Sequence, residues 1–121
     1  MSKRILVVED QDDNRRILRD LLTASGYELI EAVDGEQGLA AAQKERPDLI
    51  LMDIQLPGID GYEVTRRIKA DEALRSIPII AVTSYALSGD DQKAFAAGCD
   101  AYVTKPFVPR QLLAKVREYL A

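Results

Sequence analysis

Residues 47–53, Pro47-Asp48-Leu49-Ile50-Leu51-Met52-Asp53, decide the fold. An apolar run with no polar alternation suits a strand covered on both faces, as in a parallel sheet sandwiched between helices. An Asp directly after such a run stands at the strand's carboxyl end. Outward from this stretch, Ile5-Leu6-Val7-Val8 and Ile79-Ile80-Ala81-Val82 repeat the pattern and read as the other central strands. Glu28-Leu29-Ile30-Glu31-Ala32 and Ala101-Tyr102-Val103-Thr104 alternate with polar residues, as half-exposed strands do, and belong at the sheet margins.

Helical segments separate these strands. Ile17, Leu18, Leu21 and Leu22 read as one apolar stripe that stops at Gly26, a left-handed C-cap. Asp34 with Gln37, Asp60 with Glu63 and Ser88 with Asp91 each place a capping side chain three residues before a partner able to reach back, which gives starts to the next three helices. The last helix opens at Pro109 and carries Leu112, Leu113, Val116 and Leu120 on one face. Strands alternating with helices imply right-handed crossovers and an α/β doubly wound, flavodoxin-like sheet. With the two amphipathic strands at the margins the order is 2-1-3-4-5, and the ligand crevice falls between the carboxyl ends of strands one and three, where the winding reverses; the switch-point rule is itself framed on sheets of this order.

Length and composition set further bounds. A chain of 121 residues fits a single domain over 1–121 with no output domain, and no linker, repeat or low-complexity stretch interrupts it. Apolar residues at 47% and charged residues at 30% are those of an ordinary globular protein. The net charge of -4, with Arg15, Arg16, Arg66, Arg67, Lys105 and Arg110 dispersed among acids, speaks against a nucleic-acid surface and for protein partners. Cys99 lies alone between Gly98 and Asp100 and reads as a small buried apolar residue. No apolar run approaches membrane-spanning length, and Met1-Ser-Lys-Arg leads into a strand rather than a signal-peptide core, so a cytoplasmic protein is expected.

The residues leaving the strands' carboxyl ends carry the chemistry. They are Glu9-Asp10, Asp53, Thr83-Ser84 and Lys105, which this topology gathers on one rim. A solitary Asp after a strand is commonly a helix or turn cap. Three acids at a ligand crevice ask for more, because crowded carboxylates repel unless a cation neutralises them. The implied ion is Mg²⁺, with Mn²⁺ able to substitute, since hard cations take oxygen ligands and no His or Cys cluster suits zinc or iron. A metal beside a carboxylate, opposite a hydroxyl and an ammonium, suits phosphoryl transfer, with Asp53 as nucleophile forming an acyl phosphate. The chain lacks the Gly-x-x-x-x-Gly-Lys-Ser/Thr loop and any His, so the phosphodonor comes from another molecule. Lys105 precedes Pro106; a cis bond there would fix the direction of the Lys side chain, against the plain alternative of a surface Lys before a turn. Gly58 and Gly61 after Pro57 mark a tight turn into helix three, and Gly89 marks the loop before helix four.

Together, Glu9-Asp10, the run 47–53 followed by Leu56-Pro57-Gly58 and Asp60-Gly61, Thr83, and Lys105-Pro106 resemble the response-regulator receiver domain across the whole chain. The resemblance implies a signalling switch, not an enzyme beyond its own phosphorylation and autodephosphorylation. It makes Asp53 the phosphoacceptor, with Mg²⁺ bound by Glu9, Asp10, Asp53 and the backbone carbonyl of Gln55. Thr83 and Lys105 would contact the phosphoryl oxygens. The implied donor is a sensor histidine kinase or a histidine phosphotransfer protein, and the implied listener a downstream protein that meets a monomer or weak dimer. Thr83 and Tyr102 would form the switch that alters the face made by helix four, strand five and helix five; Tyr102 fits equally a half-buried aromatic packed on helix five. A phosphate adds about 1.5 to 2 negative charges, which states bringing Thr83 and Lys105 close would offset. Gln55 and Tyr85 hold the family's variable positions, and a bulky Tyr85 is expected to shield the acyl phosphate from water. Asp53-Ile54-Gln55-Leu56-Pro57, Ile79-Ile80-Ala81-Val82-Thr83 and Gly98-Cys99-Asp100-Ala101-Tyr102 are similar to the single-domain DivK group, and receivers within hybrid sensor kinases or larger regulators look much the same.

Two other classes compete. A flavodoxin-like FMN protein shares the strand order, but Asp10-Gln11-Asp12-Asp13 in the first turn would repel a phosphate. A purely structural interaction module would bind no Mg²⁺ and take no phosphate.

Overall fold

The computed structural model describes residues 2–83 and 90–120, apart from the side chains of 90 and 91. Their order is β1 (Arg4–Val8), α1 (Asp12–Ala24), β2 (Glu28–Ala32), α2 (Gly35–Glu45), β3 (Leu49–Asp53), α3 (Gly61–Ala70), β4 (Ile79–Thr83), α4 (Asp90–Ala97), β5 (Ala101–Thr104) and α5 (Pro109–Leu120). The strands form one parallel sheet in the order β2-β1-β3-β4-β5, as the amphipathic margins required. β3 and β4 are buried at every residue, whereas β2 and β5 mix buried and partly exposed positions.

Successive strand residues feed opposite cores. Ile5, Val7, Leu49, Leu51, Ile80 and Val82 meet Leu18 and Leu22 of α1 and Leu112 and Val116 of α5. Leu6, Val8, Ile50, Met52, Ile79 and Ala81 meet Ala42 of α2, Val64 and Ile68 of α3 and Ala94 of α4. Each fully buried Leu or Ile contributes about 1.5–3 kcal/mol of transfer free energy, so two dry faces explain the unbroken apolar runs.

Local signals account for several of the helix ends. Asp34 accepts from Gln37 N at 2.8 Å, while Gln37 Oε1 reaches back to Val33 N at 3.2 Å. Asp60 accepts from Glu63 N at 2.9 Å, but the Glu63 carboxylate pairs with Arg66 and Arg67 instead of returning. The expected Ser88–Asp91 cap and the loop mark at Gly89 lie outside the described residues. After α1, Gly26 at φ 91 lets its own N–H reach Thr23 O and that of Tyr27 reach Leu22 O, closing the helix end. α2 ends without glycine, on Arg46 at φ 45.

The α1 stripe is narrower than expected. Leu18 and Leu22 are buried and Leu21 packs partly against the core, but Ile17 is 48% exposed. At about 100° per residue, Ile17 points roughly 140° away from Leu22 and falls off the stripe's edge. Leu74 and Ile77, between α3 and β4, join the core although they belong to no helix or strand. Cys99 is buried, and burial pushes its thiol up to about 11, as befits a packing residue.

Candidate functional site

Main-chain pairing continues one residue past three strand ends, and this places the site. Glu9 N donates to Ala32 O, Ile54 N to Val82 O, and Lys105 N to Thr83 O at 2.7 Å. Glu9, Asp53, Thr83 and Lys105 are therefore fixed by the sheet itself rather than by free loops. Asp53 and Thr83 are the last residues of β3 and β4, and both are buried, as is Glu9. Gly61 closes the turn after β3, where its N–H meets Ile54 O at 3.0 Å.

The two buried carboxylates are held alike. Glu9 Oε2 accepts from Gln11 N at 3.1 Å, and Asp53 Oδ1 accepts from Gln55 N at 3.0 Å. Their other oxygens face one ammonium, with Lys105 Nζ 2.6 Å from Glu9 Oε1 and 3.2 Å from Asp53 Oδ2. The Lys105–Pro106 peptide is cis. With both carboxylate contacts and a side chain only 12% exposed, Lys105 is no surface lysine. Asp10 stands at the exposed mouth, and ligand oxygens of Glu9, Asp10 and Asp53 lie within 4.8 Å of one another.

Electrostatics show a pocket with too much negative charge. Burial, and then the neighbouring Asp53, raise the Glu9 carboxyl above its usual range, against the pull of Lys105 and Gln11 N–H. Burial and Glu9 raise Asp10 likewise. For Lys105, burial works to lower the ammonium, but the Glu9 and Asp53 carboxylates outweigh it and hold it above its ordinary value. Three ionised carboxylates against one ammonium leave two negative charges, the complement of a divalent cation. Glu9 Oε1 supplies a structural test of that fit. It is buried and, among the described residues, meets only the Lys105 ammonium, at 2.6 Å, with no main-chain or neutral donor beside it. An all-oxygen cluster with a spare buried lone pair suits a hard cation such as Mg²⁺.

The residues singled out in the sequence fall into three groups. Glu9, Asp10, Asp53 and Lys105 come together directly, with Thr83 at the adjoining strand end. Gln55 is exposed and contributes its N–H to Asp53. Tyr102 is half-buried, but it packs against the core beneath α2, α3 and α4 rather than the one beneath α5. Tyr85 and Ser84 lie outside the described residues. Sequence reasoning passed over Arg15, whose Nη1 donates to the Glu9 main-chain oxygen at 2.9 Å. Its only advance signal was a position in the first turn and a half of the helix that follows the acidic pair.

Known proteins resemble this chain in sequence and fold. The response regulator receiver domain model matches residues 5–117. The polar-differentiation response regulator DivK of Brucella anthropi is 46% identical over 120 residues, 99% of this chain and 98% of that protein. A putative response regulator from Chloroflexus aurantiacus superposes with a TM-score of 0.95 at 32% identity, covering 99% of this chain and 98% of that one. The receiver domain of a Pseudomonas aeruginosa sensor histidine kinase, solved with a magnesium ion coordinated in its active-site cleft, gives a TM-score of 0.92 at 38% identity over 99% and 98% of the two chains. An acidic pocket at the switch point of a 2-1-3-4-5 sheet and a family match over nearly the whole length agree, and the chain belongs to the response regulator receiver domains, DivK-like in sequence and signalling switches rather than enzymes in the usual sense.

Proposed function

We propose that Asp53 accepts a phosphoryl group from a phosphohistidine on a partner kinase or phosphotransfer protein. The carrying observation is the convergence of Glu9, Asp10 and Asp53 around Lys105 at the sheet's switch point. One Asp53 carboxylate oxygen attacks phosphorus, an O–P bond forms, and the N–P bond of the donor breaks to release its imidazole. Gln55 N–H keeps the other Asp53 oxygen oriented during the attack. Lys105 then turns from the carboxylates to the transferred phosphoryl oxygens, with Thr83 supplying a hydroxyl on the far side. Glu9, Asp10, Asp53 and the Gln55 carbonyl would hold Mg²⁺, or Mn²⁺ in its place. That ion supplies charge neutralisation at the phosphoryl oxygens.

Phosphorylation shifts the population toward states with Thr83 and Lys105 drawn to the new charge, and Tyr102 carries the change to the surface of β5 for a downstream protein. Gln55 and Tyr85 tune the lifetime of the acyl phosphate. Support for a phosphate chemistry other than flavin binding comes from the acidic first turn, where Asp10 and Asp12 are exposed and would repel an anion.

Incubation with acetyl phosphate and Mg²⁺, followed by intact mass, tests the assignment. Wild type is expected to gain one phosphate and Asp53→Ala none. Equal gain by both removes Asp53 from the role.

A further inference from the structure

Among the described residues, Arg15 is a long cationic side chain packed against the turn that carries the acidic pair, and it plays no part in the chemistry above. It sits in the first turns of α1, where side chains tilt back toward the helix N-terminus and so over the turn that carries Glu9 and Asp10. Its side chain is only 12% exposed. Nη1 donates to Glu9 O at 2.9 Å, Nη2 pairs with Asp12, and Nε lies 3.7 Å from Glu31 Oε1 on β2. Glu31 in turn takes two bonds of 2.8 Å from Arg19.

These contacts leave Glu9 held at both main-chain groups. Its N–H is bonded to Ala32 O, its carbonyl to Arg15, and the residue is 1% exposed. The Glu9 carbonyl belongs to the peptide plane that leads into Asp10, so the group that fixes this plane also fixes where the Asp10 carboxylate stands relative to Glu9 and Asp53. A neutral donor would satisfy the carbonyl equally well. A guanidinium satisfies it with a fork whose remaining donors reach Asp12 and Glu31, which ties the turn to both α1 and β2.

We infer that Arg15 is a positioning residue for the cation site, orienting the Glu9–Asp10 peptide so that the acidic oxygens converge. The inference rests on the proposed Mg²⁺ reading of that pocket. Groups that orient metal ligands from behind commonly change metal affinity by about 10–100-fold when removed.

The test is a Mg²⁺ titration of the full chain, followed through the backbone amide shifts of Ile54 and Gln55, on wild type, Arg15→Ala, Arg15→Lys and Arg19→Ala. Arg15→Ala is expected to weaken Mg²⁺ at least about tenfold. Arg15→Lys, which restores a single cationic donor, should recover part of that loss. Arg19→Ala cuts the same Glu31 link without touching the Glu9 carbonyl, and it should bind Mg²⁺ like wild type even if it melts earlier. Unchanged affinity in Arg15→Ala overturns the inference alone, as does an equal loss in Arg19→Ala, which would mark a general effect of loosening α1. Unfolding of both Arg15 variants overturns it too, making the residue a determinant of folding. Absence of Mg²⁺ binding in wild type would instead refute the cation site and this inference with it.

Discussion

Gly61→Ala is a one-carbon change whose cost can be worked from distances. A Cβ at position 61 would stand 2.3 Å from Asp53 O, 2.7 Å from Ile54 Cα and 3.0 Å from the Asp53 carbonyl carbon. Against the 3.4 Å at which ordinary contact begins, the shortest approach is about 1.1 Å too close. All three atoms are main chain, and Ile54 is held at its N–H by Val82 and at its carbonyl by Gly61 itself, so no side chain can swing aside. Overpacking of this kind costs about 1–3 kcal/mol. Stiffening the unfolded chain returns about 0.4–1 kcal/mol. The net loss of about 1.3 kcal/mol lowers the urea midpoint by about 0.4–1.3 M at slopes of about 1–3 kcal/mol/M. Domain stabilities of about 5–15 kcal/mol leave the variant folded, so its chemistry can be read on the same sample. Since relief requires moving Asp53 or α3 by much of an ångström, phosphorylation by acetyl phosphate should slow at least about tenfold. A variant with the wild-type midpoint and the wild-type rate would falsify the claim that Gly61 is required by close approach to Asp53.

Two further outcomes concern charge and packing. Glu9 is raised from its ordinary 4.5 by burial and Asp53, and a carboxyl raised on folding contributes stability that is present below the unfolded value and lost as pH rises through the folded one. In metal-free buffer, wild type should therefore lose stability relative to Glu9→Gln as pH climbs above 4.5, with Mg²⁺ restoring it; parallel pH curves from urea melts would contradict this. Leu74→Ala, in the turn between α3 and β4 at 1% exposure, should cost about 3 kcal/mol, as a strand residue would. A loss below about 1 kcal/mol by urea melt would show that this turn is not part of the core.

Much of the architecture was legible because both sheet faces are dry. Ile5–Val8, Leu49–Met52 and Ile79–Val82 could sit nowhere polar, and the alternation in β2 and β5 placed them at the margins. The site was legible for a related reason, since parallel strands send every carboxyl end to one rim and the acids, Thr83 and Lys105 stand directly at those ends. What escaped is tertiary in origin. Leu74 and Ile77 show no periodicity because a turn, not an element, carries them into the core. Arg46 adopts φ 45 where glycine would be anticipated, a conformation set by the chain's path into β3 rather than by residue type. Arg15 looked like one of several dispersed cations, and only the packing of α1 on the β1 turn sets it apart. Lys69 was equally anonymous, yet its ammonium gathers Arg75 O, Ile77 O and Asp100 Oδ2 at the opposite end of the sheet.

The contact between Lys105 and Asp53 spans 52 residues and crosses from β3 past β4 to the end of β5. Beyond the adjacent Glu9–Asp10 pair, no local segment can assemble this pocket, because Asp53 and Lys105 become neighbours of that pair only when the strands between them are already paired. Repulsion between Asp53 and the Glu9–Asp10 pair is consequently a burden borne by the finished fold, while the nascent or denatured chain keeps Asp53 away from them in water. A variant destabilised away from the pocket, such as Leu74→Ala, should lose its capacity to receive a signal in proportion to the molecules unfolded, each surviving molecule being fully competent, so that stability there sets the number of working switches and leaves the sensitivity of each one unchanged.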